Sequence, residues 1–180
     1  MHAEEDSYWS VIKWGSDYLK CRKLIGEDDL RDMLIKLYHD TGGNNWTRND
    51  NWCSDKPLDE WYGVYLYTDD AGRRKCEVFL TANNLVGMAD LSGCTALKRL
   101  YCYNNQLTSL NVSGCTALEF LECNYNQLTS LNVSGCTALS GLRCYDNQLT
   151  SLNGSGCTAL NYLDCSGNQL TSLNVSGCTA

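Results

Sequence analysis

The chain has 180 residues, 43% of them hydrophobic, with a formal net charge of −7 and an isoelectric point near 4.7. That content suits one folded domain with a buried core. The acidic balance excludes most nucleic-acid partners, because phosphate binding needs clustered Lys and Arg. The only such run, residues 73–75, is expected to be a solvated turn. No apolar run approaches the roughly 18 residues of a membrane span, so no membrane insertion is expected.

Two segments precede the repetitive part of the chain. Residues 1–26 form an N-terminal segment that is predicted to be helical from its apolar residues Tyr8, Val11, Ile12, Tyr18 and Leu19. Residues 27–74 form a second segment, which begins with an amphipathic helix in EDDLRDMLIKLYHDTGG. One face of this helix carries Leu30, Met33, Leu34 and Leu37. Acidic residues at the start and Gly42-Gly43 at the end are typical helix boundaries.

Residues 75–180 consist of repeats. Four units of the pattern LxxLxCxxNQLTSLNxSGCTA begin, with a period of 21 residues, at Leu97, Leu118, Leu139 and Leu160. Alternation in the first half of each unit predicts one short strand per unit, at residues 99–103, 120–124, 141–145 and 162–166. The second half is rich in Asn, Thr, Ser and Gly, which predicts extended segments and turns. A preceding coil, ending at Cys94, keeps the pattern with one extra residue.

Asn and Cys recur at fixed positions in each unit. One Asn per unit is predicted to form a ladder that satisfies buried backbone groups, at Asn105, Asn126, Asn147 and Asn168. The cysteines form two columns, Cys102, Cys123, Cys144, Cys165 and Cys94, Cys115, Cys136, Cys157, Cys178. Parallel Cβ vectors suit neither disulfides nor a tetrahedral zinc site, so buried free thiols are predicted. No metal or other cofactor is expected.

The repeat resembles the leucine-rich repeat. Its length of 21 residues, with Cys at the sixth position, resembles the bacterial internalin-J-like and Bacteroidetes surface-protein subclass. The resemblance covers about residues 75–180. It implies an α/β solenoid with short parallel strands on a concave face, extended and turn segments on the convex face, and a helical N-terminal cap.

The segment NNWTRNDNWCSDKPLDEWYGV, residues 44–64, resembles the cap that precedes many leucine-rich repeats. In such caps, Trp residues cover the open end of the first coil. The Cys that often follows Gly-Val in the plant pattern is absent, since Tyr65 stands there. The resemblance leaves open whether Cys53 pairs with Cys76 instead.

Outward residues of the predicted strands differ between units, while the rest of each unit is nearly constant. Stacking should align them in columns. One column contains Arg99, Phe120, Gly141 and Tyr162, and another contains Tyr103, Asn124, Tyr145 and Ser166. Aromatic and charged residues dominate the variable positions and favour partner binding. The candidate binding residues are Arg99, Tyr101, Tyr103, Phe120, Glu122, Tyr125, Arg143, Tyr145, Asp146, Tyr162 and Asp164. The alternative for Glu122, Arg143 and Asp164 is an exposed ion-pair ladder that contributes little.

The predicted function is non-catalytic recognition of a protein or glycan. Catalysis is not expected, because the repeats contain no His and Arg143 between Glu122 and Asp164 would keep both carboxylates ionised. The family resemblance implies adhesion or host interaction at a bacterial cell surface. The free thiols and the lack of a signal-like start favour the cytoplasm, so localisation stays open.

The alternative is a structural spacer or stalk whose activity lies in a missing C-terminal region. The last coil would then expose Leu173, Val175 and Cys178, and self-association through that uncapped end is a further hypothesis.

Overall fold

The computed structural model describes residues 29–178; the helix predicted in residues 1–26 lies outside that range. Within it, one α-helix, α1, spans Asp29–Asp40, and 3-10 turns span Gly43–Asn45 and Leu58–Glu60. The strands are β1 (Val64–Thr68), β2 (Arg74–Phe79), β3 (Val86–Asp90), β4 (Leu97–Tyr101), β5 (Gln106–Asn111), β6 (Phe120–Glu122), β7 (Ser130–Asn132), β8 (Gly141–Arg143), β9 (Ser151–Asn153), β10 (Tyr162–Asp164) and β11 (Ser172–Asn174). The described residues contain no helix long and apolar enough to cross a membrane.

The coils stack as a solenoid with a concave sheet of six strands, in the order β1-β2-β4-β6-β8-β10. All neighbours pair in parallel except β1 and β2, which form an antiparallel hairpin. That hairpin corrects the prediction for residues 73–75. Arg73 lies in the turn, but Arg74 and Lys75 begin β2, because they pair with Thr68 and Tyr67.

Three of the concave strands are shorter than the predicted ranges, and the first has the predicted length but begins and ends two residues earlier. The strands predicted at 120–124, 141–145 and 162–166 end at Glu122, Arg143 and Asp164, and the one predicted at 99–103 spans Leu97–Tyr101. They end early because the chain turns within three residues, into a left-handed conformation.

The second half of each coil also forms strands, on the convex side. Short parallel strands pair as β3-β5-β7 and as β9-β11. The register of β3 against β5 shifts between Gly87 and Met88, which pair with Leu107 and Ser109 and leave Thr108 of β5 without a counterpart. Gly87 has a φ of 80°, a conformation that favours glycine.

Leu, Val and Cys columns fill the space between the two sides. Leu100, Leu121 and Leu142, for example, are almost fully buried. In the second Cys column, the thiol donates to a carbonyl of the preceding coil, as from Cys115 to Leu91 (3.1 Å) and from Cys136 to Val112 (3.1 Å). The cysteines of the described part are free thiols, Cys53 and Cys76 included, so these two do not form the pair left open above.

The Asn ladder is confirmed, and each of its members joins two coils. The Nδ2 of Asn126 donates to the carbonyls of Cys123 in its own coil (3.0 Å) and Cys102 in the preceding coil (3.0 Å). Its Oδ1 accepts from the backbone N–H of Leu107 at 2.9 Å. Asn147 and Asn168 repeat the arrangement. The side chains thus satisfy backbone groups that would otherwise be buried without partners.

The N-terminal segment covers the first coil with apolar and aromatic side chains. The predicted face of α1 is buried, together with Trp46, Trp52 and Trp61 of the following loop. Asn83, which aligns with the Asn ladder, bonds to the cap instead of a preceding coil. Its Oδ1 accepts from Arg48 N–H (2.7 Å) and its Nδ2 donates to the Arg48 carbonyl (2.9 Å).

Replacing one ladder residue should destabilise the fold strongly. We expect Asn126→Ala to lower the free energy of unfolding by about 2–4 kcal/mol, because it leaves the buried N–H of Leu107 without a partner and removes one of the two amide donors from each of the Cys102 and Cys123 carbonyls. Urea unfolding measures the change. The exposed neighbour Gln127 provides the matched control, and Gln127→Ala should stay within about 0.5 kcal/mol of the wild type. A loss below about 1 kcal/mol for Asn126→Ala would contradict the ladder's role.

Buried thiols should make the fold sensitive to alkaline pH. Burial raises the pKa of four thiols from 9.0 to about 12, those of Cys102, Cys115, Cys136 and Cys144. The folded chain holds these protons more tightly than the unfolded chain, so the stabilisation is complete below about pH 9 and is lost as the pH rises towards 12.

At about pH 10, the free energy of unfolding should be about 1.4 kcal/mol lower per buried thiol than at neutral pH. Urea unfolding at stepped pH measures it. Cys144→Val, which removes one of the four thiols, should give a shallower pH dependence. An unchanged free energy of unfolding up to about pH 10 would contradict this prediction.

Candidate functional site

The eleven predicted binding residues lie in two adjacent rows. The sheet row consists of outward side chains of β4, β6, β8 and β10: Arg99, Tyr101, Phe120, Glu122, Arg143, Tyr162 and Asp164. The turn row lies in the turns that follow three of these strands and consists of Tyr103, Tyr125, Tyr145 and Asp146. Parallel pairing places Arg99, Phe120, Gly141 and Tyr162 opposite one another, as predicted.

Ion pairs between coils neutralise the cations of the sheet row. Arg143 pairs with Glu122 at 2.5 Å, and Arg99 pairs with Glu77 at 2.7 Å. The predicted ladder does not continue to Asp164, whose carboxylate accepts from the Ser166 hydroxyl at 2.7 Å and from the Ser166 N–H at 3.2 Å. These two hydrogen bonds from Ser166 lower the pKa of Asp164, so it is negatively charged at neutral pH.

The same arginines contact aromatic rings of the next coil. The Arg99 guanidinium lies 5.4 Å from the Phe120 ring centroid, and that of Arg143 lies 5.2 Å from the Tyr162 ring centroid. Such contacts are attractive. Phe120 and Tyr162 remain 38% and 47% exposed, so the rings stand at the surface and are available to a partner.

A notch opens between these two rings, where Gly141 supplies no side chain. It has a volume of about 230 Å³ and is lined by Tyr101, Phe120, Leu121, Glu122, Gly141, Arg143 and Tyr162. A Cβ at Gly141 would lie 2.8 Å from Cδ1 of Phe120, which shows that the ring leans across the glycine. Before the structure, nothing distinguished Gly141 from its neighbours except its place in the column.

Three residues of the β1–β2 hairpin extend the sheet row and were not predicted. Phe79 stacks on Tyr101 with ring centroids 4.7 Å apart, and Tyr65 packs edge-on against Phe79 at 5.2 Å. Glu77 pairs with Arg99 as described. The signal for two of them is strand alternation, since Val78 and Leu80 are buried and their neighbours Glu77 and Phe79 must point outward.

The turn row lies where the backbone is left-handed. One position of this turn is occupied in successive coils by Asn104, Tyr125, Asp146 and Gly167, with φ between 51° and 62°. Asn, Asp and Gly tolerate this conformation, whereas a tyrosine there costs about 1–3 kcal/mol. Tyr125 is 49% exposed and packs edge-on against Tyr145 at 5.1 Å.

The outward orientation predicted for Asn124 is wrong. The residue is 3% exposed, because β6 has already ended at Glu122 and strand alternation no longer applies. Its Oδ1 is buried and has no hydrogen-bond partner among the described residues. Tyr103 and Tyr145, in the same column, are half-buried.

Residues 95–136 match the family model for Leucine Rich repeats (2 copies). The fold of the described residues is consistent with a leucine-rich-repeat solenoid. This fold is typical of non-catalytic protein-interaction modules. The match does not distinguish the internalin-J-like or Bacteroidetes subclass. No curated protein matches this chain in a sequence comparison.

The sheet row and the turn row offer aromatic rings and charged side chains to a partner. Within residues 29–178, no group of three or more His, Cys, Asp or Glu could hold a metal ion. The exposed rings offer apolar area with polar edges, and the paired charges fix the ring positions. Such a surface can bind a partner through packing and a few directed polar contacts.

The strain at Tyr125 can be tested without a ligand. We expect Tyr125→Asn to be at least as stable as the wild type, because relief of the left-handed strain outweighs the lost contact with Tyr145, worth about 0.5–1.5 kcal/mol. Asn104 shows that Asn adopts this turn in the neighbouring coil. Thermal and urea unfolding of the variant and the wild type measure the difference in stability. Destabilisation by more than about 1 kcal/mol would show that Tyr125 is a structural residue.

Proposed function

We propose that the chain is a non-catalytic recognition module that binds a protein partner through the concave sheet and its turn row. The observation that carries the proposal is the strained, exposed Tyr125. Backbone strain of this kind persists where the surrounding structure enforces it and concentrates at functional sites. A turn that accepts Asn, Asp and Gly in other coils has no structural need for tyrosine.

Two further features support binding at this face. Phe120, Tyr125 and Tyr162 are exposed aromatic residues on one side of the solenoid. Aromatic residues are enriched at binding hot spots, because they supply large contact area with little loss of conformational entropy. The arginine side chains around these rings form ion pairs with carboxylates. Less free energy is therefore needed to remove water from the face when a partner binds.

The setting of this interaction is a second part of the proposal. The 21-residue repeat with its Cys column resembles bacterial surface proteins, which suggests adhesion or host interaction as the role. A glycan is the other class of ligand that an aromatic-rich face would suit. The protein class is preferred because the fold is typical of protein-interaction modules.

Capture experiments with matched variants test the proposal. The wild-type chain, immobilised, is exposed to protein extracts of the producing cells and of cells that they contact, and to a glycan array. A face variant carries Phe120→Ser, Tyr125→Asn and Tyr162→Ser. We expect a partner protein that binds the wild type and is lost from the face variant, with a Kd at least about tenfold weaker, since several hot-spot residues are removed.

A control variant removes exposed apolar side chains from the convex side instead. Val86 and Met88 on β3 are 38% and 67% exposed, so Val86→Ser with Met88→Ser removes exposed apolar side chains away from the concave face. This control should retain the partner, and the interaction must be reproduced with the purified partner. Equal capture by all three proteins, or none by any, would contradict the proposal and favour the spacer. Binding to the glycan array alone would replace the protein partner with a glycan.

A further inference from the structure

We propose that the notch over Gly141 is a socket for one aromatic side chain of the partner protein, and that Asp164 holds a basic residue beside it. This inference rests on the proposed function, because it names the chemistry of the partner that the concave face would take. Its support comes from the size of the notch, the character of its walls and the charges around it.

The notch has the size of a side chain. Its volume of about 230 Å³ lies below the roughly 300–1,000 Å³ of pockets that hold small molecules. It exists because Gly141 interrupts a column in which the other coils carry Arg99, Phe120 and Tyr162. The Phe120 ring already leans across the glycine, so an occupant would lie between that ring and the ring of Tyr162.

The walls favour an uncharged, flat occupant. Phe120 and Tyr162 stand on the two sides of the glycine, and Leu121 and Tyr101 contribute further apolar surface. Cations are poorly placed to enter, since Arg99 already contacts the Phe120 ring and Arg143 the Tyr162 ring. An aromatic side chain would instead pack edge-on or offset against both rings.

The charges around the notch indicate that the partner carries a basic residue next to its aromatic one. Lys98, Arg99 and Arg143 each pair with one carboxylate, those of Glu119, Glu77 and Glu122. Among the described residues, Asp164 and Asp146 form no ion pair with a cation. Asp164 lies two residues after Tyr162 on β10 and so shares the outward face with that ring. A partner residue next to the aromatic one would meet this unpaired negative charge.

Four blocked dipeptides test the two requirements separately. The probes are N-acetyl-Lys-Trp-amide, N-acetyl-Ala-Trp-amide, N-acetyl-Glu-Trp-amide and N-acetyl-Lys-Ala-amide, titrated into the ¹⁵N-labelled full chain and followed by NMR. We expect Lys-Trp to shift the amides of Gly141, Leu121 and Tyr162 saturably, with a Kd of about 1 mM or tighter. Ala-Trp should bind about twofold to fivefold more weakly, as for one exposed ion pair, and Glu-Trp more weakly still. Lys-Ala should give no saturable shift.

Three variants assign the effects to residues. In Gly141→Val the new side chain meets the Phe120 ring, which forms one wall of the socket, so this variant should abolish Lys-Trp binding. Asp164→Asn retains an oxygen that can accept from Ser166 and should make Lys-Trp and Ala-Trp equal. The matched control is Gly154→Val in the same coil. A Cβ at Gly154 meets only ordinary contacts, at 3.5 and 3.8 Å, and Val stands there in other coils, so this variant should bind like the wild type.

Lack of saturable binding by Lys-Trp, or binding that survives Gly141→Val, would overturn the socket. Equal binding of Lys-Trp and Glu-Trp by the wild type would overturn the role of Asp164. The proposed function fails in a different way. A partner that is captured by the concave face but is insensitive to Gly141→Val refutes only the socket, whereas failure of capture with intact dipeptide binding refutes the partner-recognition proposal alone.

Discussion

The amide of one Asn per coil is the contact on which the rest of the solenoid depends. Each described strand after β5 has only three residues, so the backbone ladders are short. Between them, the chain must turn with its polar groups buried, and an unpaired buried group costs about 1–3 kcal/mol. Asn126 solves this for two coils at once, by donating to Cys102 and Cys123 and accepting from Leu107. Repetition of this bond set keeps successive coils in register, and the outward columns follow from it.

Constant and variable positions thus have separate physical roles. Constant residues are not all buried, since Thr108 and Thr129 are exposed. They are nevertheless structural, because the Thr129 hydroxyl donates to the Thr108 carbonyl at 3.3 Å and the Ser109 and Ser130 hydroxyls bond at 2.9 Å. The variable positions make fewer such demands on the fold. Changes there alter the surface offered to a partner, and Tyr125 shows that one of them is kept in a conformation unfavourable for its side chain.

The period and strand alternation were sufficient to predict the solenoid, its buried Leu and Cys columns and the outward register of Phe120 opposite Gly141. They were insufficient at the strand ends, where side chains no longer alternate between the two faces of the sheet. Asn124 is buried because its strand has ended, and strand ends depend on turn geometry that the repeat pattern does not state. The contribution of Tyr65 required knowledge that β1 pairs with β2 and so joins the same sheet, a pairing that no repeat signals. The notch at Gly141 depends on how the Phe120 ring leans, which is a matter of side-chain packing.

Native-state hydrogen exchange tests the central claim most directly. The amides of Leu107, Leu128 and Leu149 each donate to the Oδ1 of a ladder Asn in the next coil. If the ladder holds the coils together, these amides exchange only when the whole fold opens, and their opening free energies equal the global free energy of unfolding obtained with urea. Opening free energies well below the global value, with slow exchange in the strand amides of Leu121 and Leu142, would show that the coils are held by packing and that the ladder is secondary.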